Sequence, residues 1–410
     1  MNRKQLIILL ALVAVLGGAS LVLMNRNQEA SSYADSKMGQ KLLQKIDIND
    51  VAQIHMIGDG ELTLHKKDGI WSVKERGDYP ANFTEISGFL LKLVDLKITQ
   101  SEPVEPAQLG ELTLVEPKPG EKSGPKTASM IELIDSKGKV MTSVLLGLKH
   151  TRKTMRYGNE VESPDGRYVL LKSDPKTALL ISDPLGNSDP KPDYWLIKDF
   201  VKIEKTKSIE FTALESTNSW KLEAASTTNK LTLLNVQTNE MPDAGKISAI
   251  GSTLGSLSFL DVATNSAATG LDKPLVVKVD TFDNFHYVLK IGKKNAENNY
   301  YLTVGVSADL PKERVAGKDE KPEEKTKLDK EFADNLKKMT DKLEQEKKLE
   351  KWIYLVSSYS VDPVIRGRAQ LMKDKKDDKA KDKMQPPTES DEENGDAAGA
   401  PMNLQPPPEQ

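Results

Sequence analysis

The sequence predicts an α+β fold: two similar units of antiparallel strands, each with a packed helix, behind an N-terminal transmembrane helix. Three observations carry this. Residues 6–24 form one uninterrupted apolar run behind Arg3 and Lys4 that has no counterpart elsewhere in the 410 residues. From residue 46 onward, short period-2 runs bounded by turn signals alternate with one helical pattern. That order of strands, helix and strands then returns after residue 201.

The apolar run has 19 residues, which at ~1.5 Å rise span roughly 28 Å, the thickness of a bilayer's hydrocarbon layer. Leu6, Leu9, Leu16 and Leu23 mark a membrane anchor within residues 1–30. The run exceeds the ~7–15 apolar residues of a secretory signal. Leu21–Met24 also continue it past the small residues Gly17–Ser20. An uncleaved single-pass anchor is therefore expected rather than a removed signal. Arg3 and Lys4 place the N-terminus in the cytoplasm and the body outside it, since positive charge stays inside.

The first unit, 46–200, opens with strands at Val51–Ile57 and Glu61–His65, with Leu62 and Leu64 on one face. Asp68-Gly69 is a hairpin signal that leads into Ile70, Trp71 and Val73. Asn82 with Glu85 reads as a capping box. Ile86, Phe89, Leu90, Leu93 and Leu96 follow at helical spacing. After a Pro-rich connection come strands at Met130–Ile134, Val140–Leu146 and Tyr168–Leu171, the first two joined by the turn Ser136-Lys137-Gly138.

The second unit, 201–372, repeats this with Ser208–Phe211, Trp220–Leu222 and Leu231–Leu234. Asp243 caps a helix carrying Ile247, Ile250, Leu254 and Leu257, and Leu275–Val279, Tyr287–Ile291 and Tyr300–Val304 follow as strands. Ile86, Leu93 and Leu96 map onto Ile247, Leu254 and Leu257 with one constant offset of 161. Val144–Gly147 matches Leu289–Gly292, so Gly147 and Gly292 are repeat anchors, as are Trp71 and Trp220 at the places taken as corresponding. One continuous α+β domain with similar halves is the alternative.

Residues 312–351 interrupt the second unit with a charged loop and a helix from Lys327. Its stripe of Leu328, Phe332, Leu336, Met339 and Leu343 lies on its own domain, with a partner-binding arm as the alternative. Trp352–Ser358 resumes as a closing strand resembling Tyr168–Leu171. Residues 373–410 carry six lysines against ten acids with proline pairs. Such a segment buries too little apolar surface to fold and reads as a disordered tail.

Composition limits the chemistry. A net charge of −3 gives no basic face for nucleic acid. With no cysteine there is no disulfide, zinc-thiolate site or thiol nucleophile. No phosphate loop, nucleophile elbow or H-E-x-x-H pair is present, so no catalytic, cofactor-binding or metal-ligating residue is assigned and no cofactor is expected. His55 and His65 read as solvent-face strand residues rather than a metal pair. Trp71 and Trp220 read as core anchors rather than sugar platforms.

Leu62-Thr63-Leu64 through Asp68-Gly69-Ile70-Trp71-Ser72-Val73, then Tyr79-Pro80-Ala81 and a helix, resembles the bacterial domain-of-unknown-function family 4340. Gly270-Leu271-Asp272-Lys273-Pro274 and Tyr287–Gly292 add to the resemblance, which covers roughly 46–310. The first unit departs at the former motif, offering Leu109-Gly110-Glu111-Leu112 and Pro117. The resemblance implies an anchored envelope protein with no established enzymatic activity, encoded beside ABC-type exporter subunits. It carries no catalytic residues over. The expectation is a single-pass protein of the bacterial inner membrane whose periplasmic body serves as a non-enzymatic accessory or scaffold, with a protein partner in the envelope. The alternatives are a module binding an envelope glycan or small ligand in the cleft between the units, and a hydrolase built from scattered carboxylates.

Overall fold

A computed structural model describes residues 37–374, apart from 45, 119, 121–123, 157, 265–267 and 318–319. The anchor at 6–24 and the tail beyond 374 lie outside the described residues. Among the described residues no helix is long and apolar enough to cross a membrane.

The first unit is built from β1 (Val51–Gly58), β2 (Gly60–Lys67), β3 (Ile70–Val73), β4 (Tyr79–Pro80), α1 (Phe83–Asp95), β5 (Ile98–Pro103), β6 (Ser129–Asp135), β7 (Val140–Arg156), β8 (Asn159–Leu171) and β9 (Asp174–Ile181). These strands form one antiparallel sheet in the order β4-β3-β2-β1-β6-β7-β8-β9-β5. The second unit contains β10 (Thr206–Thr212), β11 (Trp220–Glu223), β12 (Thr232–Leu233), α2 (Ala244–Gly255), β13 (Asp261–Val262), β14 (Leu275–Thr281), β15 (Phe285–Lys294), β16 (Asn299–Ala308), α3 (Pro322–Lys347), β17 (Tyr354–Ser357) and the short α4 (Ser358–Val361). Its sheet runs β12-β11-β10-β14-β15-β16-β17-β13.

Placed side by side, the two orders coincide strand for strand from β3 to β5 and from β12 to β13. The register agrees too. Ile54 faces Leu133 and Met56 faces Ile131, as Ile209 faces Val279 and Phe211 faces Val277. Both ladders carry a bulge at the same point, between Val51 and Gln53 and between Thr206 and Ser208. Side chains alternate across a strand, so a one-residue slip in either copy would turn its apolar set to the wrong face.

Local chemistry explains the elements. Asp68 and Gly69 both adopt positive φ, the geometry a two-residue hairpin turn requires. The Asn82 side chain accepts from Thr84 N at the start of α1. The other half of the expected capping box is not made: Glu85 accepts from Tyr194 Oη at 2.6 Å instead, and Asn82 N–H donates to Trp195 O at 2.7 Å. Asp243 accepts from Gly245 N and Lys246 N at the start of α2. Ile86, Phe89, Leu90 and Leu93 of α1, and Ile247, Ile250 and Leu254 of α2, are buried.

One apolar core runs through both units without a break. A second, smaller cluster of Ile57, Leu114, Met130, Leu145 and Leu170 lies on the far face of the first sheet, with Leu109 and Leu112 of the Pro-rich connection packed against it. The closing strand β17 takes the place of β9, not of β8 as its resemblance to Tyr168–Leu171 suggested. The strand at β9 has no sequence signature because Thr177–Ile181 are all buried, which erases the period-2 pattern. In α3, Met339 and Leu343 pack on the core and Glu346 is buried, while Leu328, Phe332 and Leu336 are half-buried and outside it.

Candidate functional site

The repeat anchors occupy the scaffold in two ways. Trp71 is buried on β3, and its carbonyl accepts from Ala81 N at 2.8 Å. Trp220 is buried on β11, with its indole N–H donating to Arg366 O at 2.6 Å. These strands are not equivalent, because β11 holds the place of β2. The two tryptophans are thus structural neighbours of the turn in each unit rather than copies of one another.

Gly147 and Gly292 do stand at equivalent points, on β7 and β15. A carbonyl from a crossing loop lies directly over each. A Cβ at Gly147 would meet Leu112 O at 2.3 Å, and one at Gly292 would meet Thr269 O at 2.2 Å. The same carbonyls accept from the following residue, Leu148 N and Lys293 N, both at 2.9 Å. The crossing loops correspond as Leu112-Thr113-Leu114 and Thr269-Gly270-Leu271. Thr113 has φ 54° where Gly270 has φ 74°. The counterpart of Gly270-Leu271-Asp272-Lys273-Pro274 is therefore Thr113–Pro117, which shares its final proline, and not the stretch Leu109–Leu112. A threonine in a left-handed position is uncommon, which hid the match.

Between the units, where the alternative reading sets a ligand cleft, aromatic rings pack together. Tyr79 packs edge-on against Phe259, Trp352 and Tyr354, and Phe200 against Phe259 and Tyr354, with centroids 4.7–6.2 Å apart. Burial pushes the Tyr79 phenol up to about 12 and raises Tyr354 as well. At the rim, Arg76 makes a two-pronged pair with Asp261, Nε and Nη2 each 2.7 Å from a carboxylate oxygen.

The first unit then departs from the second in one outward feature. Beyond Leu148 the strands β7 and β8 pair only with each other, from Lys149↔Arg167 to Arg156↔Asn159. Residues 151–155 and 158–164 are exposed, Met155 the most open apolar side chain among them at 72%. At ~3.3 Å per residue the arm projects about 25 Å. Its strands are cross-linked by charge: Arg152 lies 3.0 Å from Asp165, and His150 2.6 Å from the same carboxylate. Buried Arg167 at its base donates to Gly147 O at 2.8 Å and Ser188 Oγ at 2.9 Å. Sequence reading missed the arm because it is polar on both faces. Gly158-Asn159 flanked by Thr154 and Val161 was the available signal.

Residues 71–274 match the model of a family described as a domain of unknown function, DUF4340. Over this stretch the chain belongs to the DUF4340 family. No curated protein and no solved structure matches the chain. The DUF4340 match opens at Trp71 and closes at Pro274, narrower than 46–310. It takes in the arm, Gly147 and Trp220 and leaves out Gly292. The DUF4340 stretch thus supplies only part of the junction: Tyr79, Phe200 and Phe259 lie inside it, Trp352 and Tyr354 outside.

The histidines are all engaged by carboxylates. His55 lies 2.8 Å from Glu61 and 3.4 Å from Glu132, His65 is 3.0 Å from Asp78, and His286 is 2.7 Å from Asp280. His55 and His65 share no partner. Among the described residues no group of three or more His, Cys, Asp or Glu is arranged to hold a metal ion.

Proposed function

We propose that the chain is a membrane-anchored periplasmic accessory or scaffold protein that catalyses no reaction itself and serves an ABC-type transporter or another envelope complex. The observation that carries this reading is the β7–β8 arm. A free two-stranded ribbon is marginally stable in water, and its outer edges offer unpaired backbone N–H and C=O groups, which proteins ordinarily cover. A partner that adds a strand to such an edge gains main-chain hydrogen bonds along its length. The continuous core beneath the arm holds it on a stiff body, and the apolar run 6–24 supports placing that body at a membrane.

The test is detergent extraction of the intact chain from its native membrane, in parallel with a variant whose residues 150–165 are replaced by a short turn. The expected result is a fixed set of membrane proteins with the intact chain that is lost from the shortened one, while both melt alike. If no membrane protein accompanies the intact chain, the scaffold reading fails.

A further inference from the structure

The two edges of the arm differ. On β8, Pro164 has no N–H, and a strand proline turns that missing donor away from its paired neighbour. The pairing also shifts beside it: His150 faces Gly166 and Thr151 faces Pro164, so Asp165 bulges out of the ladder. Proline and bulge are both devices that blunt an edge against a further strand. Over residues 151–155, β7 has neither. Its pairs with β8 run without a break from Pro164 to Glu160, and these residues are exposed. The outer donors and acceptors of β7 are therefore the open ones.

Charge then selects what can add there. Side chains alternate along a strand, so Lys149, Thr151, Lys153 and Met155 share one face of β7 and His150, Arg152 and Thr154 the other. On the second face Asp165 already engages both His150 and Arg152, at 2.6 and 3.0 Å. On the first, Lys149 pairs with no carboxylate among the described residues, and Lys153 lies 3.5 Å from Glu160 in an exposed pair. Edge lysines deter a like-charged strand. A second copy adding β7 to β7, centred on Thr151 or on Lys153, sets lysine opposite lysine, which is destabilising. A second copy adding its acidic β8 presents the edge that Pro164 blunts. We infer that the β7 edge takes an extended acidic segment of a partner protein. Carboxylates four residues apart on that segment lie opposite Lys149 and Lys153, with an apolar side chain opposite Met155. The inference rests on the scaffold reading of the arm and names the edge that serves it and the chemistry of its partner.

The experiment reads amide exchange in the full chain, held in detergent micelles, with three synthetic strand peptides. One alternates valine with threonine and carries two glutamates four positions apart. The second has lysines in place of the glutamates. The third is the glutamate peptide N-methylated along one edge, so that it cannot make the main-chain bonds. The expected result is slowed exchange at the outward amides of 151–155 with the plain glutamate peptide alone, and no change at 160–162. Lys149→Glu combined with Lys153→Glu should weaken that peptide about 2- to 30-fold, two cross-strand charge pairs being at stake, and should admit the lysine peptide instead. Slowing at 160–162, equal slowing by the lysine or the N-methylated peptide, or no slowing at all overturns the edge inference. Slowing at 151–155 that grows with the chain's own concentration, without peptide, makes the occupant a second copy and overturns it too. The scaffold reading fails separately, in the extraction above, where no membrane protein accompanies the intact chain.

Discussion

Replacing Gly147 or Gly292 by alanine should break the same device in each unit, at a cost that can be worked from the structure. Neither glycine has positive φ, so the effect is steric rather than conformational. The new methyl would stand 2.3 Å from Leu112 O in one case and 2.2 Å from Thr269 O in the other, where ordinary contact begins at 3.4 Å. The crossing carbonyl must therefore retreat by about 1 Å, which counts as overpacking worth about 1–3 kcal/mol. That retreat also stretches the 2.9 Å bonds from Leu148 N and Lys293 N beyond hydrogen-bonding range, losing about 1 kcal/mol more. Each variant should lose about 2–4 kcal/mol locally, or roughly 30- to 1,000-fold in amide protection. Hydrogen exchange read at Leu148 and Lys293 suits this better than one melting curve, because a chain of two units need not unfold in one step. Gly147→Ala should expose the Leu148 amide and spare Lys293, and Gly292→Ala the reverse. Unchanged exchange at Leu148 in Gly147→Ala would refute the crossing-loop argument.

Thr113→Gly should stabilise the first unit by about 0.5–1 kcal/mol in thermal unfolding, since relief of a left-handed β-branched residue outweighs glycine's added unfolded-state freedom. Asp261→Ala, which strands the half-buried Arg76 at the rim of the junction, should cost about 2 kcal/mol and show as faster exchange in β4 and β13. His286, held up by its hydrogen bond to Asp280, should titrate above its ordinary value in an NMR pH series and fall back in Asp280→Asn. The stabilisation from His286 is complete below its unfolded value and is lost as pH rises through the raised one. Asp280, held down chiefly by His286 against the opposing effect of burial, contributes above its ordinary value and loses that contribution as pH falls. The β14–β15 turn should therefore be tightest at mildly acidic pH, between about 4 and 6.5.

What could be read from the chain follows from where its patterns are one-sided. The strands β14, β15 and β16 and the helices α1 and α2 each pair one buried face with one wetter face, so their period is plain in the sequence. The repeat was legible for the same reason, since Ile86, Leu93 and Leu96 and their counterparts are core contacts that fix the offset. Two kinds of element escaped. In β9 the burial of Thr177–Ile181 on both faces leaves a continuous run with no period. In the arm, residues 151–155 are exposed on both faces and hold one apolar side chain, Met155, so no apolar period forms.

The comparison of the two units separates scaffold from specialisation. Features present in both are those the backbone cannot do without: the bulge that opens β1 and β10, the capped helix, and the glycine under a crossing carbonyl. Features present in one alone project from it or cover it. The arm lengthens β7 and β8, whereas their counterparts turn early, β15 ending at Lys294 and β16 beginning at Asn299. The helix α3 enters between β16 and β17, the counterparts of β8 and β9, which a two-residue link joins directly. Both additions therefore border one strand of the repeat, β8 and its counterpart β16, the ribbon at its start and the helix after its end. Insertions that extend connections at a sheet's edge leave its core untouched, because long surface loops carry only a small closure penalty. The duplicated sheet thus varies in the connections at the two ends of one strand and keeps its bulge, capped helix and crossing loop in both copies.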